Sequence, residues 1–110
     1  MSDYMPDRWT IVKIFKKGHD TPTYKVLASW KGGFTDGDSW RFSSGIVDVQ
    51  KTKGHYKITN HSGSVYICHV NSEGMLSYTS NVYDRLKHEL EGLDKGSMEI
   101  ISIKELINEL

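Results

Sequence analysis

The fold is decided by two alternating runs, RWTIVKIFKK at residues 8–17 and TYKVLASWK at residues 23–31. Both are rich in β-branched and aromatic side chains, which favour the pleated and half-buried environment of a strand. The segment Gly18 to Pro22 between them has the composition of a turn. These runs predict an antiparallel hairpin. One face of its second strand carries four of the side chains: Tyr24, Val26, Ala28 and Trp30.

Shorter strand-like runs follow the hairpin. A short strand is expected over Trp40 to Ser43, and further runs cover residues 46–51, 55–60 and 64–70. The last three are separated by glycine-containing turns and recur within about a dozen residues, a spacing typical of an antiparallel meander.

After these runs, the spacing of the apolar residues changes from two positions to about four. A helix is predicted between Thr79 and Glu91, where three apolar residues lie four positions apart: Val82, Leu86 and Leu90. Thr79 or Ser80 can cap its start. Gly92 stands where a left-handed C-terminal residue is expected.

The end of the chain completes the predicted fold. A last strand runs to about residue 101, and a short terminal helix follows, because Ser102 and Glu105 have the spacing of a capping box. The class is α+β: a mostly antiparallel sheet of five to six strands, curled or forming a half-barrel, with one or two C-terminal helices. The 110 residues fit a single domain over residues 1–110, with residues 1–7 as a flexible N-terminal tail.

Composition excludes several classes of protein. No apolar run approaches the roughly 20 residues of a membrane-spanning helix. The N-terminus lacks the basic and apolar regions of a secretory signal. The one cysteine, Cys68, cannot form an internal disulfide, so a cytoplasmic location is expected. The 14 basic and 14 acidic residues balance, although residues 1–60 hold ten of the basic ones.

The stretch from Trp30 to Arg41 is the main candidate for recognition. Its glycines allow close backbone approach, and its aromatic and guanidinium groups offer stacking surfaces and a bidentate donor. The competing interpretation is a long loop whose rings only cover the open end of the sheet. A polar turn from His61 to Tyr66 is the second candidate. The predicted ligand-binding residues are Trp30, Phe34, Asp36, Asp38, Trp40, Arg41, His61, Ser62, Ser64 and Tyr66.

The sequence gives less support to a catalytic site or a metal site. Asp36 and Asp38 lack the further oxygen ligands that a calcium loop supplies, so no metal site is predicted. No phosphate loop or dinucleotide fingerprint occurs, and no cofactor is expected. Strand alternation places Cys68 and His69 on opposite faces. The catalytic residue is therefore unknown, and a small hydrolase or transferase using Cys68 or His61 remains an alternative.

Single-stranded nucleic-acid binding is a further alternative. Basic residues interleave with aromatic ones in the strand-rich half of the chain, the pattern of a stacking and phosphate-contacting sheet. The net charge of zero argues against it, since it weakens attraction to phosphate. Strand lysines also commonly protect solvated sheet edges.

Three further runs carry a resemblance: VLASWKGGF at residues 26–34, GDSWR at 37–41 and SSGI at 43–46. Together with SGSVY at 62–66, they resemble small uncharacterised proteins encoded by tailed bacteriophages, over about residues 8–83. The resemblance implies an accessory protein that acts in the cytoplasm of an infected bacterium, and it implies no activity. We therefore expect a non-enzymatic binding module that engages a host protein or a small ligand. An open sheet edge would also allow a homodimer.

Overall fold

The computed structural model describes residues 3–32 and 37–110. Their strands are β1 (Asp3–Tyr4), β2 (Arg8–Lys16), β3 (Thr23–Trp30), β4 (Ser39–Phe42), β5 (Ile46–Thr52), β6 (His55–Asn60), β7 (Val65–His69) and β8 (Gly96–Ile101). Their helices are α1 (Ser77–Gly92) and α2 (Ile103–Glu109). Within these residues no helix is both long and apolar enough to cross a membrane.

The strands form two four-stranded sheets. The first sheet has the order β1-β7-β6-β5 and the second has the order β4-β3-β2-β8. Neighbouring strands are antiparallel except for β1 and β7, which are parallel. The predicted α+β class, the β2–β3 hairpin and the β5–β6–β7 meander are confirmed. The eight described strands divide between two sheets that do not close into a barrel, whereas the sequence suggested five or six in one curled sheet.

The two faces of the second sheet have different covers. We call the side that carries Trp9 and Ile11 the inner face, because it packs against residues of the first sheet such as Ile58 and Tyr66. The Trp9 indole N–H donates to the His69 carbonyl oxygen at 2.8 Å and so links the two sheets. This interface is the main core of the protein.

We call the other side of the second sheet the helix face. Alternation along β2 points Val12 and Ile14 to this side, where they pack with Tyr83 of α1 and Met98 of β8. The described chain therefore has three layers, with the second sheet in the middle.

The start of α1 differs from the prediction. The helix begins at Ser77, its N-cap is Leu76, and no side chain caps it. The expectation that Thr79 or Ser80 caps the helix is wrong. Thr79 is a fully buried residue of the first turn, where packing overrides its capping preference.

The end of α1 also differs. The left-handed residue is Asp94, with φ of 54°, and not Gly92, which is the last helical residue. The backbone N–H of Asp94 donates to the Glu91 carbonyl at 3.2 Å, and that of Lys95 donates to the Leu90 carbonyl at 3.0 Å. These two bonds form a Schellman motif two residues beyond the predicted end.

The C-terminal helix agrees with the prediction. The Ser102 hydroxyl accepts a hydrogen bond from the Glu105 backbone N–H at 3.1 Å. Ile103 and Leu106 of α2 are buried in the main core. The helix therefore closes one side of the space between the sheets.

The described part of the N-terminal segment is packed and not a free tail. Tyr4 pairs with Tyr66 in the parallel ladder between β1 and β7, and Pro6 is buried. The Asp7 backbone N–H donates to the Ser29 carbonyl at 2.9 Å. A two-residue strand has too short a periodic pattern to be recognised in the sequence.

Candidate ligand-binding site

The two tryptophans that flank the predicted recognition loop lie on opposite faces of the second sheet. Trp30 pairs with Ser39, and Ser29 pairs with Trp40, in the antiparallel ladder between β3 and β4. Successive side chains of a strand alternate between faces, so this register places Trp30 on the inner face and Trp40 on the helix face. The predicted ten-residue site therefore does not converge on one surface.

Trp30 is half-buried at the edge of the inner face. Its indole N–H donates to the Met5 carbonyl oxygen at 3.0 Å. Its ring meets the Tyr4 ring edge-on, with 6.2 Å between centroids. Both contacts come from the N-terminal segment, which thus fixes the orientation of the indole.

Arg41 lies beside this tryptophan on the inner face, because it pairs with Ala28 in the ladder. Its guanidinium carbon is 4.7 Å from the centroid of the Tyr4 ring. That ring stacks in turn on Tyr66, with 4.9 Å between centroids. We call Tyr4, Trp30, Arg41 and Tyr66 the arginine–aromatic cluster.

The cluster combines one exposed cation, Arg41, with one buried aromatic ring, Tyr66. Arg41 is exposed to solvent, and no carboxylate of the described residues forms an ion pair with it. Tyr66 is fully buried, and its hydroxyl meets no hydrogen-bond partner among those residues. Burial raises the pKa of Tyr66, and the nearby Arg41 charge offsets part of that rise. Tyr66 therefore stays protonated at neutral pH. Its uncharged ring stacks against the Tyr4 ring.

The polar turn from His61 to Ser64 is hydrogen-bonded to the connection between β4 and β5. The Ser44 hydroxyl donates to the Ser62 hydroxyl at 2.9 Å and accepts from the Ser62 backbone N–H at 3.1 Å. The Ser62 and Ser64 hydroxyls lie 3.1 Å apart. The His61 backbone N–H donates to the Gly45 carbonyl at 2.7 Å. These bonds tie the β6–β7 turn to the segment where the chain passes from the second sheet to the first.

The loop between β3 and β4 is only partly described. Phe34 and Asp36, both predicted site residues, lie outside the described residues. Asp38 is exposed and accepts a hydrogen bond from the Gly32 backbone N–H at 3.1 Å. A β-carbon at Gly32 would overlap the Gly37 carbonyl, so this close approach requires glycine.

Cys68 does not form a nucleophilic pair in the structure. Its side chain is fully buried, and burial raises the pKa of the thiol to about 12. His69 is on the exposed side of β7, as alternation predicts, and its ring lies 5.1 Å from that of His55. The thiol is therefore protonated at neutral pH and packs as a small apolar group.

The basic residues of the strand-rich half do not share a surface. Lys13 is on the inner face, where it pairs with Glu109 at 2.6 Å. Lys25 is on the helix face, and Lys57 projects from the exterior of the first sheet because its neighbours Tyr56 and Ile58 point inward. This distribution gives no single platform for stacked bases.

Sequence reasoning missed Tyr4 and Ser44. The sequence places Tyr4 in a tail because its pairing partner in β7 is more than 60 residues away, and a pairing over that distance cannot be read from neighbouring residues. The only local signal is the aromatic and apolar run Tyr4 to Pro6 just before β2. Ser44 is indistinguishable from an ordinary turn serine until the two sheets are brought together.

Comparison with protein-family models, curated proteins and solved structures finds no match to this chain.

Proposed function

We propose that the protein is a binding module that recognises a phosphate or carboxylate group through the arginine–aromatic cluster. The observation that carries the proposal is the exposed guanidinium of Arg41, held 4.7 Å above the Tyr4 ring and free of ion pairs with described residues. A guanidinium binds the oxygens of carboxylate and phosphate groups with two parallel hydrogen bonds.

The rings beneath Arg41 support this role by restricting its motion. The Tyr4 ring contacts both the Arg41 guanidinium and the buried Tyr66 ring, and Trp30 meets Tyr4 at its edge. A side chain that is already oriented loses less conformational entropy when a ligand binds. The exposed parts of Tyr4 and Trp30 also offer a surface for a planar group attached to the anion.

Binding accords better with this geometry than nucleophilic catalysis does. Cys68 is sealed in the core with a pKa of about 12, on the opposite side of β7 from His69. The Ser62 and Ser64 hydroxyls are engaged in the network that ties the β6–β7 turn to the connection between β4 and β5. The cluster, by contrast, presents a charge that the described residues do not neutralise.

The resemblance to tailed-bacteriophage proteins suggests where the partner is found. We propose a bacterial host protein in the cytoplasm that presents an anionic group, with a small anionic ligand as the other source of the same chemistry. The two sources are distinguished by the experiments below.

The first experiment titrates the protein with phenyl phosphate and with benzoate. We expect both to bind the wild-type protein, and Arg41→Ala to weaken binding about tenfold or more, since hydrogen bonds to charged groups contribute about 1.5–3 kcal/mol. Arg41→Lys retains the charge but loses the fork of donors, so an intermediate affinity is expected. Trp40→Phe, on the other face, is the matched control and should bind as the wild type does.

The second experiment captures proteins from a bacterial lysate on immobilised wild-type protein, Arg41→Ala and Trp40→Phe. A host partner of the proposed kind is retained by the wild type and by Trp40→Phe and is lost with Arg41→Ala. Equal retention by all three would reject the cluster as the recognition site. Binding of the small anions without any such protein would favour the small-ligand source.

A further inference from the structure

A second candidate site lies on the helix face, away from the arginine–aromatic cluster. A groove of about 250 Å³ opens between α1 and the second sheet. Its apolar lining consists of Phe42, Leu86, Leu90, Leu93 and Met98, with Glu89 and Lys95 also at the groove. Leu93 is 63% exposed, so apolar surface extends from the groove to its mouth.

Lys25 supplies a cation on the same sheet face. It pairs with Val12 in the β2–β3 ladder and therefore shares the helix face with that residue. Its strand, β3, lies between β4, which carries Phe42, and β2. On the other side of β2 is β8, which carries Met98. Its Nζ atom is 5.5 Å from the centroid of the Phe42 ring, which is one wall of the groove.

This lysine has no counter-charge among the described residues. It forms no ion pair with their carboxylates. Burial and the neighbouring Lys16 both lower the pKa of Lys25. A partly buried cation beside an apolar wall is stabilised by an anion that arrives with its own apolar group.

We propose that this groove binds a small anionic amphiphile, of the class of medium-chain carboxylates. The hydrocarbon chain packs on Phe42, Leu90 and Met98, and the carboxylate pairs with Lys25. The volume favours a single short chain, because it lies just below the roughly 300–1,000 Å³ of drug-sized ligand pockets. Lys95 adds a second positive charge at the groove, against the single negative charge of Glu89.

The test compares octanoate, 1-octanol and octylammonium, which share a chain length and differ in charge. The indole N–H resonance of Trp40 reports binding, because this ring lies 6.5 Å from the Phe42 ring. We expect octanoate to shift this resonance and to bind about fivefold more tightly than octanol, the upper range for a partly exposed ion pair. Octylammonium should bind most weakly.

Two lysine variants separate the charge from the lysine stem. Lys25→Met retains an apolar side chain of similar length, so it should remove the preference for octanoate and leave octanol binding unchanged. Lys57→Met, on the exterior of the first sheet, is the matched control and should retain the preference. The proposal is overturned if octanoate leaves the Trp40 resonance in place, if octylammonium binds best, or if Lys25→Met keeps the preference.

Discussion

The inner face and the helix face of the second sheet solve the same packing problem in different ways. The inner face is covered by the first sheet together with α2, and the exposed Arg41 of the arginine–aromatic cluster lies at its edge. The helix face is covered by the single helix α1, which leaves an apolar groove. A sheet covers a broad surface, whereas a single helix covers only a stripe. The helix face therefore keeps an apolar groove, and the inner face keeps a charged and aromatic edge.

Arg41 and Trp40 show how fine this division is. The two residues are neighbours in β4, yet one joins the charged cluster and the other packs beside Phe42. Strand alternation alone produces this separation. A small ligand that sits on one face of the sheet therefore contacts only one of these two side chains.

The largest expected effect comes from comparing tryptophans on the two faces. Trp9 is fully buried on the inner face, whereas Trp40 is half-buried on the helix face. We expect Trp9→Ala to lower the free energy of unfolding by about 3–5 kcal/mol and Trp40→Ala to lower it by about 1–2 kcal/mol. Urea unfolding of the two variants measures both values. Equal losses would mean that the two faces contribute equally to stability.

A smaller effect sharpens the description of the helix-face cover. Asp94 ends α1 in the left-handed conformation, with φ of 54°, and glycine adopts this conformation without steric cost. Asp94→Gly should therefore raise the free energy of unfolding by about 0.5–1 kcal/mol. Its exposed pair with Lys17, both side chains more than 65% exposed, offsets little of this gain. Gly92→Ala is the matched variant: a helical residue tolerates a β-carbon, so it should not destabilise the protein, and a large loss there would contradict the observed helix end.

The smallest effect concerns the helix that closes the inner face. Hydrogen bonds from Lys13 and then from Tyr24 lower the pKa of Glu109. A carboxyl group whose pKa falls on folding stabilises the protein above its unfolded pKa, and this contribution is lost as the pH drops through the folded value. Melting temperatures of the wild type and Glu109→Gln should therefore differ slightly at neutral pH and converge in acid. A difference that is independent of pH would show that the carboxylate charge does not hold α2.

Much of the local structure could be predicted because it depends on neighbouring residues. The β2–β3 hairpin follows from alternation, and the start of α2 follows from the spacing of Ser102 and Glu105. The end of α1 could not be predicted in the same way. Gly92 and Asp94 are both plausible left-handed residues from the sequence, and in the structure Asp94 takes that conformation.

The candidate site depended on contacts between distant segments. Alternation alone placed Trp30 with Val26 and Ala28, but the face of Trp40 required the register of β4 on β3. Tyr4 entered the site through a parallel pairing with β7, more than 60 residues away. Neither register nor parallel pairing leaves a local mark in the sequence.

The most direct test of the division between the two faces follows the three indole N–H resonances during titration with phenyl phosphate. Trp30 belongs to the arginine–aromatic cluster, Trp40 packs beside Phe42 on the helix face, and Trp9 donates to the His69 carbonyl inside the core. We predict that phenyl phosphate shifts the Trp30 resonance alone and that Arg41→Ala abolishes this shift. A Trp30 resonance that stays fixed, or one that moves equally in Arg41→Ala, would contradict the account.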